Sequence, residues 1–78
     1  MPTAAQLRAA RALLAWTMEE LAERSRVSTR TIRRAEESDQ AISVRTLRRL
    51  AVTYEAAGIE FIGENNDRGA GVQFRRRR

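Results

Sequence analysis

The residues in this chain best equipped for chemistry are its arginines. Of 78 residues 15 are basic and 10 acidic, a formal charge of +5, and every basic residue is arginine. A guanidinium group is planar and donates two parallel hydrogen bonds, which matches a phosphate group or the O6/N7 edge of guanine. Codon bias in a GC-rich genome would produce the same composition, so composition alone leaves both origins open. Placement says more. If Thr29 to Glu36 is helical, its phase sets Ile32, Ala35 and Glu36 on one side and Arg30, Arg33 and Arg34 on the other. Three donors on one short helix face suit a polyanion, although a solvated basic face has the same pattern. The chain has no cysteine and no histidine. That removes disulfides, thiolate nucleophiles, imidazole bases and the usual zinc ligands. No carboxylate pair stands at a credible catalytic spacing, so neither an enzyme nor a metal or cofactor is expected.

The elements that must hold those arginines follow from hydrophobic period and capping residues. Thr3 caps a first helix running to about Leu14, with Leu7, Ala10 and Leu14 on one stripe, Arg11 inside that stripe, and Arg8 and Ala12 facing away. Thr17-Met18-Glu19-Glu20 is a capping-box pattern opening a second helix that buries Leu21, Ala22 and Ser25. The pattern stops for three residues, and Ser28 caps the third helix. Glu37 to Ile42 reads as a loop. Ser43 caps a fourth helix with Val44, Leu47, Leu50, Ala51 and Tyr54 on one stripe, ended by Gly58. Beyond it Ile59 and Phe61 alternate with Glu60, and Val72 and Phe74 with Gln73, giving two short strands joined by a turn from Gly63 to Gly71 with a mobile tip. The expected fold is mainly α: a four-helix unit with a helix-turn-helix over residues 1–57, a β-hairpin over 58–74 and a basic tail over 75–78. Apolar runs are broken well before about 18 residues, and the Met-Pro-Thr start lacks the layout of a secretion signal. The expectation is a soluble cytoplasmic, nucleoid-associated protein without membrane contact.

Arg11 on an apolar stripe and Glu36 on the inner side of the third helix are each an ion that needs a partner. A salt bridge between them is expected to tie the two helices. Trp16, in the turn beside Leu13, reads as a packing wedge.

The stretch from Met18 to Glu36, with Glu20-Leu21-Ala22 in one helix, Val27-Ser28 after the turn and Thr31-Ile32 followed by Glu36 in the next, resembles the helix-turn-helix of the Xre family of phage-repressor-like bacterial regulators, in a small prophage-like subgroup with a C-terminal hairpin. The resemblance covers about residues 5–57. It implies Ala22 where the helices touch, Val27 and Ile32 as plugs beneath the turn, and an Arg11–Glu36 pair. It implies base contacts from Thr29, Arg30 and Arg34 and a phosphate contact from Arg33. The sequence departs at Met18, where a glutamine that reaches the DNA backbone is usual, and at Arg26, where glycine is usual because the turn takes a positive φ.

The helix starts at Thr17, Met18, Ser28 and Ser43, with Arg45 adding charge, are expected to grip phosphates, besides simply capping. Arg48 and Arg49 read as solvated. Ile59, Phe61, Ile62, Val72 and Phe74 give more apolar area than a hairpin hides, so a homodimer interface is expected, with packing on the chain's own helices as the alternative. The implied function is a transcriptional regulator, a repressor binding a near-palindromic double-stranded operator as a dimer. The alternative is an antitoxin-like or adaptor protein that binds a partner protein and regulates its own promoter. RNA polymerase is a further possible partner, through the acidic outer face at Glu19 and Glu23.

Overall fold

The computed structural model describes residues 2–38 and 42–75. Four helices, α1 (Ala4–Leu14), α2 (Met18–Ser25), α3 (Thr29–Glu37) and α4 (Val44–Ala56), precede two strands, β1 (Ile59–Ile62) and β2 (Gly71–Phe74). Arg76 to Arg78, expected as a tail, lie outside the described residues, as do three residues of the loop before α4.

Each helix starts where a hydroxyl side chain takes up a free amide. Thr3, Thr17, Ser28 and Ser43 are all in extended backbone, and each side-chain oxygen accepts from the N–H three residues on. In α1 and α2 the box is reciprocal, with Gln6 and Glu20 returning the bond to the cap. Ala15 (φ 55°) and Arg26 (φ 61°) end α1 and α2 in the left-handed region, and Gly58 (φ 98°) follows α4. Ala15 carries no sequence signal for that geometry. Its amide bonds the carbonyls of Ala12 and Arg11, satisfying orphan groups at the helix end.

The core gathers Leu7 and Ala10 of α1, Leu21 of α2, Val27 of the turn, Ile32 and Ala35 of α3, Leu50 and Tyr54 of α4, and Ile59 of β1. Trp16 packs on Tyr54 rather than on Leu13: the rings stack with centroids 5.9 Å apart, Arg24 covers Trp16 at 4.4 Å, and Leu13 is exposed. The apolar stripe of α4 is shorter than its period implies. Leu50 and Tyr54 are buried, whereas Val44 is 59% exposed.

β1 and β2 pair antiparallel, Ile59 opposite Phe74 and Phe61 opposite Val72. The joint is organised by Asn65, whose Oδ1 accepts from the amides of Asp67 and Arg68, both at 2.9 Å. Gln6 fastens the hairpin to α1. Its amide nitrogen donates to the carbonyls of Ile62 and Gly71, each at 2.9 Å, while its oxygen accepts from the Thr3 amide at 2.9 Å. Arg75 is also tied in. Its amide donates to the Gly58 carbonyl at 2.6 Å and its guanidinium to the Glu55 carbonyl at 2.8 Å, so this first arginine of the expected tail is a cap on α4. Among the described residues no helix is long and apolar enough to cross a membrane.

Candidate nucleic-acid interface

The site is built from the turn outward. Arg26, Val27 and Ser28 join α2 to α3. The Arg26 amide bonds the Ala22 carbonyl at 2.8 Å, and the buried Ser25 hydroxyl accepts from the Val27 amide at 3.2 Å. Val27 and Ile32 are driven into the core beneath the turn. The half-buried Ala22 packs against the same cluster. Holding an arginine at φ 61° costs about 1–2 kcal/mol against glycine, the residue that side-chain sterics favour there.

On α3 the phase divides the helix as the sequence requires. Ile32, Ala35 and Glu36 are buried, whereas Arg30, Arg33 and Arg34 are exposed and Thr29 is half-buried at the first position. Among the described residues none of these three guanidiniums makes an ion pair or side-chain hydrogen bond. A short helix braced from behind, with unpaired planar donors on its free face, is dimensioned to lie in a major groove.

A helix-turn-helix family model matches residues 7–57, more than half of the chain. This chain belongs to the Xre-like helix-turn-helix family. The family is one of DNA-binding regulators, and this Xre-like protein is a DNA-binding regulator. A comparison with curated proteins finds no match.

What braces the recognition helix of this Xre-like protein is ionic as well as apolar. Arg11 Nε donates to Glu36 Oε2 at 2.7 Å and its terminal nitrogen to Oε1 at 2.9 Å, a two-pronged pair with Glu36 5% and Arg11 25% exposed. The remaining Arg11 nitrogen donates to the Trp16 carbonyl at 3.1 Å. The bond to Glu36 raises the Arg11 pKa above its ordinary value, outweighing the loss of solvent. Arg8, expected to face away, donates to the Glu36 backbone carbonyl. Its long stem carries the charge around to the end of α3. Beside this cluster Tyr54 is fully buried, and its hydroxyl finds no hydrogen-bond partner among the described residues. Burial pushes its pKa up.

The helix starts differ in what they leave free. At α2 the Thr17 amide donates to Glu20 at 2.9 Å and the Thr17 hydroxyl accepts from the Glu20 amide at 3.0 Å; these bonds hold the Glu20 carboxyl below its usual range. Met18 packs its side chain against the core, so only its backbone amide is left to offer a ligand. At α3 and α4 the pattern is Ser-x-x-Thr twice over. Ser28 donates to Thr31 at 3.0 Å and Ser43 to Thr46 at 2.9 Å. From sequence Thr31 entered only through the family motif and Thr46 not at all, although the repeated spacing was the available signal. Arg45 is exposed on the first turn of α4.

The hairpin supplies less free apolar surface than its sequence suggests. Ile59 is 1% exposed and lies in the core, with Phe61 and Val72 packed against it. Ile59 is spent on the chain's own helices, whereas Phe61 and Val72 are only half-buried. Of the five expected at an interface, Phe74, 51% exposed, and the half-buried Phe61, Ile62 and Val72 keep surface.

Proposed function

We propose that the protein is a sequence-specific regulator that binds a near-palindromic operator as a dimer and represses by occluding polymerase. The observation that carries this reading is the exposed Arg30, Arg33 and Arg34 set on the outer face of α3, without an ion-pair partner among the described residues. In this reading Arg30 and Arg34 donate to guanine edges and Thr29 meets a thymine methyl, while Arg33 takes a phosphate. The starts of α2, α3 and α4, at Thr17 and Met18, Ser28 and Ser43, with Arg45 beside the last, grip the backbone on either side. Two copies joined through the hairpin, at Phe61, Ile62, Val72 and Phe74, present two α3 helices about 34 Å apart, one turn of the duplex.

Selection of bound duplexes from a random pool tests it. The expected product is a two-fold symmetric site with half-sites one helical turn apart. Arg30→Ala then loses about 1–3 kcal/mol and relaxes one base position, whereas Arg33→Ala weakens all duplexes alike. A pool that returns no enriched sequence removes the specific-regulator reading.

A further inference from the structure

The turn between α1 and α2, the last turn of α2 and the C-terminal half of α4 border a groove of about 430 Å³, lined by Trp16, Arg24, Val52, Thr53, Ala56 and Ala57. None of the residues assigned above to the duplex lines it. Val52, 57% exposed, Ala56 and Ala57 offer aliphatic surface. Thr53 adds no free proton, because its hydroxyl donates to the Arg49 carbonyl at 2.9 Å. Arg24 is the one charge in the lining, and its guanidinium carbon lies 4.4 Å from the Trp16 ring centroid. A cation–π contact of this kind leaves N–H donors for an acceptor. Among the described residues no ion pair or hydrogen bond occupies that guanidinium, and Glu20, one turn earlier in α2, spends its carboxylate on the Thr17 amide. The groove thus joins an uncompensated cation to an alkyl wall.

We infer that this groove binds a small aliphatic carboxylate, with the carboxylate on Arg24 and the alkyl body along Val52, Ala56 and Ala57. One guanidinium donates two parallel hydrogen bonds to one carboxylate, so head group and site match in charge and in donor number. The body is aliphatic because Trp16 is already stacked with Tyr54 and covered by Arg24, which leaves an occupant to meet methyl groups instead of a free ring face. Size favours a small molecule over a protein. A stable protein interface covers about 800 Å² on each partner, far more than three aliphatic side chains and one ring supply, whereas sites for small molecules begin at about 300 Å³.

Octanoate is the probe, added to the full chain without DNA, so the outcome is independent of the duplex reading. Trp16 is the only tryptophan, and its fluorescence reports the groove directly. The expected result is a saturating change with octanoate, with octanol, which lacks the charge, and acetate, which lacks the chain, each about tenfold weaker. Calorimetry on two variants completes the test. Arg24→Gln removes the cation and should weaken octanoate about tenfold. Val52→Glu sets a carboxylate in the groove at an exposed position, so it should abolish binding while melting with wild type, which separates loss of the site from loss of the fold. Octanol binding as tightly as octanoate would reduce the groove to a generic apolar surface. Octanoate that leaves Trp16 fluorescence unchanged, or that binds both variants as it binds wild type, overturns the inference.

Discussion

A single carboxylate decides how α3 is held. Glu36 takes both prongs of Arg11 from α1, and its backbone carbonyl takes Arg8 as well, so one residue anchors the recognition helix by side chain and main chain together. Glu36→Ala leaves the Arg11 guanidinium without its partner, and the expected cost is about 3–5 kcal/mol, read as a lowered melting temperature. A variant that melts with wild type would show the pair to be ornamental. The neighbouring Tyr54 hydroxyl has the opposite sign, being buried without a partner among the described residues. Tyr54→Phe keeps the stacking on Trp16 and the edge contact with Phe61 while removing an unsatisfied polar group. It should raise stability by about 1 kcal/mol, and a destabilised variant would mean that the hydroxyl is satisfied. The Arg11–Glu36 relation was legible in sequence, since an ion in an apolar stripe needs its opposite. The orphaned hydroxyl was not, because only packing decides whether a phenol reaches a partner.

Elements in this chain are defined at their ends. Four Ser or Thr caps mark four helix starts, and a hydroxyl followed three residues later by a glutamate or glutamine is local enough to be read directly, as it was for Thr17 and Glu20. The hairpin differs, because short strands are stable only against something else. Gln6 is that link, serving the start of α1 and both strands at once. Gln6→Ala should cost about 1–3 kcal/mol by leaving carbonyls and an amide without partners. Amide exchange should rise in β1 and β2 before it rises in α3. Equal acceleration throughout would show that the clamp does not set hairpin stability. Gln6 escaped sequence reading because its partners stand 56 and 65 residues away, and no periodicity carries such a relation.

At the scale of the whole molecule the question is where the remaining apolar surface goes. With Ile59 in the core, the proposed association through the hairpin falls to Phe74 and the half-buried Phe61, Ile62 and Val72. Sedimentation at micromolar concentration should show a dimer that Phe74→Glu converts to monomer. A wild-type monomer both with and without operator DNA would exclude the dimer. Hydrophobic period, capping hydroxyls and the phase of three arginines by themselves determined four helices, a hairpin and which face of α3 is basic, because each depends on residues only a few positions apart. Tertiary structure alone decided which apolar residues were left over, that Arg75 caps α4, and that Trp16, Arg24 and Val52 share one groove. Those outcomes depend on which surfaces meet when distant segments close on one another, and burial is settled by that competition rather than by any residue's own neighbours.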